Sequence, residues 1–346
     1  MEQRDFGTTG LRVSLLGLGA GQIGDGALSE DHAGTLLNRA IDRGIPLVDT
    51  ARGYGLSEER IGRHLAYRRH DFILSSKGGY SADGADDWTP QAIRLGIEQA
   101  LTRLRCDWID IFHLHSCPAE TLRRDDLLGA LDDARRDGLI RVAAYSGENE
   151  ALAWAIQSGR FGSIETSVNL ADQFSRRQLL PAANDAGMGV IAKRPIANAA
   201  WRFTDRPEGD YAETYWERLR TLNMDTIRQQ AGLDWLDLAL RFTAYAPGVH
   251  SAIVGTASIQ NLERNIDLVQ AAAAVKGRTK ALLPVHYNAP LDAAALAQRI
   301  NVNRAIGALY TPDAATIQPA KLARGLARIV ERIDRKSTRL NSSHRT

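Results

Sequence analysis

Cysteine is scarce: Cys106 and Cys117 are the only two in 346 residues. Two thiols cannot build a disulfide framework or a cysteine-based metal site, and they suit a reducing compartment. Long apolar runs are missing too. None approaches the roughly 18 residues that a membrane-spanning helix needs. The opening MEQRDFGTTG has no apolar segment of the kind a secretory signal carries. A strong charge of one sign is also absent, since 43 Lys and Arg face 41 Asp and Glu. The small net charge hides an asymmetry: residues 277–346 carry +8 and residues 1–276 carry −6. A mildly acidic body offers no basic face for nucleic acid. These absences lead to the expectation of a cytoplasmic protein with no membrane or nucleic-acid partner and no metal. They leave the oligomeric state open, a monomer included.

What is present is a rhythm. Eight short apolar runs recur, at 13–19, 45–49, 71–77, 108–115, 139–146, 163–169, 188–193 and 249–255. They are mostly apolar rather than alternating, as expected for parallel strands covered on both faces. Longer segments with helical spacing lie between them. Segment 29–44 places Leu36, Leu37, Ala40 and Ile41 on one face and ends at Gly44. Segment 89–104 opens on Thr89 and Pro90, a cap and a first-turn proline, and 258–273 continues the pattern. Eight β-then-α units predict an α/β fold, a closed (β/α)8 TIM barrel. FGTTGLR at 6–12 reads as a small hairpin closing the bottom. The stretch 194–231 is too long for a plain connection and carries Trp201, Tyr211, Tyr215 and Trp216.

The division expected is a barrel over 1–275, an extension over 276–334 and a non-native or disordered tail over 335–346. Within the extension, 321–334 has helical spacing with Leu322, Leu326, Ile329 and Ile333 on one face. That helix either docks on the barrel, the usual use of such a face, or acts as a basic tether.

One motif points elsewhere. Gly19-Ala20-Gly21-Gln22-Ile23-Gly24 matches the G-x-G-x-x-G of a dinucleotide-binding Rossmann turn, and Asp49 closes the next strand. However, Gly24-Asp25-Gly26 continues the loop where a Rossmann helix should begin, and eight even strands exceed a Rossmann sheet.

In a (β/α)8 barrel the chemistry gathers at the C-terminal ends of the strands. There the sequence has Asp49, with Tyr54 in the loop behind it, then Lys77, then His115. A free phenol has a pKa of about 10, and a nearby ammonium favours the phenolate. Asp49 beside Lys77 would keep the ammonium charged, and Tyr54 would exchange a proton with a carbonyl or alcohol oxygen. His115 could orient that oxygen. His113 shares its face, and alternation alone cannot separate the two; a core role is the expectation for His113. Gly53 and Gly55 would turn Tyr54 into the mouth, and Ser57 would cap the helix behind it.

The segments LVDTARGYGLSEERIGRHL, ILSSKGG, WIDIFHLHS and AIVGTASIQNLERNI resemble the aldo-keto reductase family, over about residues 6–269. The resemblance implies a barrel that binds NADPH or NADH without a Rossmann fold and interconverts a carbonyl (aldehyde, ketone or sugar) with an alcohol. It places the catalytic residues at Asp49, Tyr54, Lys77 and His115, and the spacing from Asp110 selects His115 over His113. It implies cofactor contacts from Ala20, Gly21, Asp49, Ser146, Glu165, Lys193, Arg194, Gly255, Thr256, Asn261 and Asn265. Several of these depart from the family pattern: Ser146-Gly147 stands for Ser-Asn, Glu165 for Gln, and Lys193 for an aromatic. Residues 255–263 hold no base to grip a 2′-phosphate, although Arg264 follows, so NADH stays open beside NADPH. Trp88, Trp201 and Phe203 are expected walls of the substrate pocket. The other reading is a cofactor-binding sensor or regulatory protein with little turnover.

Overall fold

The computed structural model describes residues 1–222, 225, 228, 229, 234–282, 290, 291, 308 and 309, with side chains described up to Ala272 in the last long helix. Two antiparallel strands come first, β1 (Gln3–Asp5) and β2 (Arg12–Ser14). Eight parallel strands follow: β3 (Leu16–Gly19), β4 (Leu47–Asp49), β5 (Ile73–Gly78), β6 (Ile109–His115), β7 (Ile140–Ser146), β8 (Ser163–Ser167), β9 (Gly189–Lys193) and β10 (Ser251–Gly255). They pair in sequence order, and β10 closes on β3. Each run predicted as a strand holds one barrel strand. The run 13–19 also covers the end of the hairpin, because the mostly apolar stretch continues from Val13 to Leu18 while β2 ends at Ser14 and β3 begins at Leu16.

The helices between the strands start where their sequences say. Ser29 accepts the His32 N–H to cap Glu30–Asp42, and Gly44 follows at φ +81°. Thr89 caps Pro90–Leu104 by accepting from Ala92 N. The helix Ile259–Leu282 runs nine residues past the expected end. The long connection after β9 contains a short 3-10 stretch, Ala197–Arg202, and the helix Glu213–Thr221. No helix among the described residues is long and apolar enough to cross a membrane.

Packing separates the two faces of every strand. Val48, Leu74, Phe112, Leu114, Ala143, Ile164, Val190 and Val254 face outward into the helix layer. Leu47, Ile73, Ile111, Val142, Ile191 and Ile253 face inward near the strand starts, where Phe6, Leu11 and Val13 of the hairpin pack on them. The hairpin therefore plugs the bottom, as FGTTGLR implies. Its fit is close: a Cβ at Gly189 would meet the Phe6 ring at 2.4 Å, and one at Gly7 would meet the Gly187 carbonyl at 2.3 Å. Further along the inward faces of β4, β5, β6 and β8 the buried side chains are polar: Asp49, Ser75, His113 and Glu165. This change of layer positions the site.

The chain divides into two compact units, Met1–Val275 and Lys276–Thr346. The described part of the second includes a two-residue antiparallel ladder pairing Pro290 with Leu309 and Leu291 with Ala308. The expected helix 321–334 and the tail 335–346 lie outside the described residues.

Candidate active site

Register sets the frame. Gly19 pairs with Asp49, Asp49 with Ser75, Lys77 with His113, His115 with Ser146, and Ser146 with Glu165. Because alternate residues share a face, Asp49, Ser75, Lys77, His113, His115, Ser146 and Glu165 all project inward above the apolar plug.

Lys77 is fully buried, and its Nζ donates to Asp49 Oδ1 at 2.6 Å, Asp49 Oδ2 at 2.5 Å and the Thr50 carbonyl at 3.0 Å. Ser75 Oγ donates to the same Asp49 Oδ1 at 2.7 Å. Burial disfavours the Lys77 charge, but Asp49 and Glu165 outweigh it and hold the ammonium well above its ordinary range. Glu165 Oε2 lies 3.3 Å from Lys77 Nζ. Burial and this second carboxylate push Asp49 up to about 7 against the pull of Lys77.

Tyr54 stands over this pair. Lys77 Nζ lies 5.4 Å from the centre of its ring, and the His115 ring meets it edge-on at 6.1 Å. Lys77 draws the phenol down, as the sequence suggests. Burial and the charges of Asp49 and Glu165 outweigh that draw, so the phenol stands at about 12 rather than below 10. The expected net lowering is therefore corrected. The Tyr54 phenol is neutral at pH 7, and the ammonium limits a rise that burial and two carboxylates would otherwise impose.

The two histidines separate by depth. His113 is fully buried, with Nε2 3.2 Å from Ser75 Oγ and 3.8 Å from Glu165 Oε2. Its core role is a polar one, inside the charged layer. His115 is half-buried, and its Nδ1 hydrogen-bonds the Tyr80 hydroxyl at 2.9 Å. Burial and Lys77 hold His115 down to about 4, and burial holds His113 down to about 3, so both rings are neutral at pH 7. With Nδ1 engaged, Nε2 of His115 is the ring nitrogen left for a ligand. Tyr80 escaped the sequence reading because it sits in a loop with no periodicity. The one available signal was its place three residues after Lys77. Its ring is also 5.9 Å from Trp88, which links that predicted wall to the site.

The loop that carries Tyr54 is locked from behind. The Leu56 N–H donates to the Gly24 carbonyl at 3.0 Å. A Cβ at Gly24 would fall 1.7 Å from the Tyr54 carbonyl, and Gly55, at φ +52°, could carry none without approaching Gly24 O to 2.5 Å. The last glycine of the apparent dinucleotide motif thus serves as a seat for the tyrosine loop. Ser57 is not a cap: Leu56 holds the N-cap position. Ser57 Oγ donates to the Ala20 carbonyl and accepts from Thr50 Oγ1, both at 2.8 Å, tying together the loops after β3 and β4.

The residues expected at a cofactor form two groups. Ser146 Oγ donates to Glu165 Oε1 at 3.3 Å and accepts from Lys193 Nζ at 3.4 Å; Lys193 also pairs with Glu148 at 3.5 Å. Arg194 donates to Ser167 Oγ at 3.2 Å. Gly147 has no room for the usual Asn: a Cβ there would meet the Tyr145 ring within 2.5 Å, and that hydroxyl is fixed on the Cys117 carbonyl. The second group follows β10. Gly255 lies under Gln22, whose Oε1 would be 2.0 Å from a Cβ. Thr256 Oγ1 accepts from the Ser258 N–H, and Ser258 Oγ accepts from the Asn261 N–H. Asn265 is buried. Gly21 faces the Tyr54 ring, and the Ala20 N–H donates to the Asp49 carbonyl. Arg264 is engaged by Asp234 at 2.6 Å. Trp201 lies flat on Trp235 at 5.5 Å and packs with Phe203 in a separate cluster around Tyr215 and Leu219. No contact among the described residues brings these two aromatics to Tyr54.

Asp49, His113 and Glu165 bring possible metal-ligand atoms within 4.8 Å of one another. The Lys77 ammonium lies between the two carboxylates, so a cation already fills that charge.

A model of the Aldo/keto reductase family matches residues 15–276. The uncharacterized oxidoreductase YqkF of Bacillus subtilis is 27% identical over 299 residues, covering 82% of this chain and 95% of its own length. The L-galactose dehydrogenase of Arabidopsis thaliana is 27% identical over 285 residues, covering 78% and 88%. Among solved structures, an aldo-keto reductase of Bacillus halodurans in its holo form superposes with a TM-score of 0.66 at 25% identity, over 78% of this chain and 91% of that one.

Proposed function

Since the chain belongs to the aldo/keto reductase family, we propose that it interconverts a carbonyl compound and an alcohol with Tyr54 as the proton-transfer residue. The observation that carries this is the buried Lys77–Asp49 pair under the Tyr54 ring, with His115 edge-on to it. A neutral phenol supplies a proton to a carbonyl oxygen as it becomes an alkoxide. Lys77, held charged by Asp49, stabilises the phenolate left behind. The reverse reaction uses the same groups, with the phenolate taking the alcohol proton. His115, fixed through Nδ1 by Tyr80, presents Nε2 to the same oxygen and orients it. A nicotinamide cofactor would supply or accept the hydride when bound. Ser146, Glu165 and Lys193 would hold its carboxamide side, and Gly255, Thr256 and the helix start near Asn261 its phosphates. Arg264 is tied to Asp234, which supports NADH beside NADPH, with Lys193 and Arg194 as the remaining cations near the mouth. The likeness to a sugar dehydrogenase makes aldoses and small aldehydes the first substrates to try.

Tyr54→Phe tests the assignment. Turnover should fall by about 10²-fold or more while cofactor binding, followed by fluorescence, stays within about twofold. Full turnover by Tyr54→Phe would sink the mechanism. Tight cofactor binding by the unaltered protein with no turnover of any aldehyde or sugar would favour the sensor reading.

A further inference from the structure

Glu165 carries a charge that the Lys77–Asp49 pair does not need. An ammonium has three protons, and those of Lys77 are taken by Asp49 Oδ1, Asp49 Oδ2 and the Thr50 carbonyl. Glu165 comes within 3.3 Å of the ammonium but receives no hydrogen bond from it. The carboxyl is only 2% exposed. Its Oε1 accepts from Ser146 Oγ, while its Oε2 has no hydrogen-bond partner. A buried, ionised oxygen without a donor is costly, so a purely structural role leaves the arrangement unexplained.

The other basic groups nearby are engaged elsewhere: His113 and His115 are neutral at pH 7, Lys193 is shared with Glu148, and Arg194 is turned to Ser167 Oγ. Asp49, Lys77 and Glu165 together therefore carry one net negative charge once both acids are ionised. That charge lies midway along β8, level with Ser146 and His115 at the C-terminal ends of β7 and β6, toward the ligand-binding side of the barrel. The neighbouring position 147 can offer no side chain, because the Tyr145 ring occupies the space. What could complete the site is a group that brings an N–H donor to Oε2 and gains from a negative charge below it. The carboxamide and ring of an oxidised nicotinamide meet both conditions. The reduced ring offers the same N–H donor but is neutral.

We propose that Glu165 sets which redox form of the nicotinamide this site prefers: its free oxygen accepts from the carboxamide N–H, and its charge favours the cationic, oxidised ring. The inference rests on the cofactor reading above and adds to it a bias toward holding the oxidised form, the form that alcohol oxidation consumes.

The test is binding, not turnover. The full chain and Glu165→Gln are titrated with NAD+, NADH, NADP+ and NADPH at about pH 8, where Asp49 as well as Glu165 is ionised, following tryptophan fluorescence or heat. The amide keeps the size and removes the charge. The ratio of reduced-form Kd to oxidised-form Kd should fall by about tenfold in Glu165→Gln, which corresponds to a shift of about 30 mV in the bound couple. Glu165→Asp, which keeps the charge, should hold the ratio near that of the unaltered protein. If Glu165→Gln does not fold, Glu165→Met removes the same charge and takes its place. A ratio unchanged within about twofold overturns the inference and leaves the cofactor reading standing. Failure of the unaltered protein to bind any of the four dinucleotides overturns that reading itself.

Discussion

His113 and His115 are two residues apart on one strand face, and what surrounds them gives them different work. His113 sits between Ser75 and Glu165 with no exposure, whereas His115 reaches the mouth and is held by Tyr80. Both are depressed, so both bind fewer protons folded than unfolded between about pH 6.5 and their folded values of about 3 and 4. Their contribution to stability is complete above about pH 6.5 and is lost as the pH falls. Asp49 works in the opposite sense: its raised carboxyl takes up a proton between its ordinary value of 3.8 and about 7, which favours the folded state as the pH drops through that window. The two senses partly offset each other, so the informative quantity is a difference. His113→Gln, which cannot titrate, should lose less stability between pH 6.5 and 4.5 than the unaltered protein, by about 1.4 kcal/mol per pH unit at most. Urea unfolding at several pH values checks it, and parallel curves for the two proteins would contradict it. At this scale Asp49, Lys77 and His115 were legible as polar residues near strand ends, whereas alternation did not separate His115 from His113. The direction of the Tyr54 shift was not legible, since it depends on burial and on the charges of Asp49 and of Glu165, which is 111 residues away in sequence.

The elements were the most legible part of the chain. Parallel strands covered on both faces are mostly apolar, so each appears as a short apolar-rich run, and Ser29, Thr89 and Gly44 mark helix ends by their own chemistry. The errors fell where two structures share one chemical pattern. Residues 13–19 form one mostly apolar run that serves a hairpin and then a barrel strand. Ser57 looks like a cap and instead bridges two loops. The Gly19–Gly24 motif has the letters of a phosphate turn, a reading that the continuing loop and the strand count oppose, and its Gly24 seats the tyrosine loop, because a glycine needed for close backbone approach is the same letter whichever backbone approaches. Substitution separates those uses. Gly24→Ala puts a methyl 1.7 Å from the Tyr54 carbonyl, so the loop must move; the expected cost is about 1–3 kcal/mol, with a loss of turnover. Gly26→Ala, two residues on, has open space around its Cβ and should change neither. Melting temperature and kcat measured on both variants check this, and equal behaviour of the two would remove the seat from the account.

At the larger scale, the barrel of the unit Met1–Val275 is filled from below by the hairpin, and the polar layer lies above that plug. The hairpin contributes Phe6, Leu11 and Val13 to the lower layer, and the charged layer rests on it. Phe6 is fully buried, so Phe6→Ala should destabilise the protein by about 3–5 kcal/mol. The site is built from β4 to β8 above that layer, so the fraction that stays folded should keep its KM and kcat. Chemical denaturation beside a turnover assay of the native fraction tests both halves, and a changed KM would show that the plug reaches the chemistry. The sequence disclosed eight units and a bottom hairpin. It did not disclose which polar residues of neighbouring strands stand level, because register is fixed by pairing across the sheet rather than by any local pattern.

The sealed bottom also has a kinetic consequence. A tube closed at one end has no back door, so whatever enters last must leave first. If the dinucleotide lies along the floor of the mouth, the smaller reactant comes and goes above it. Steady-state turnover then follows a compulsory order, with product inhibition competitive between the two dinucleotide forms and mixed between the small molecules.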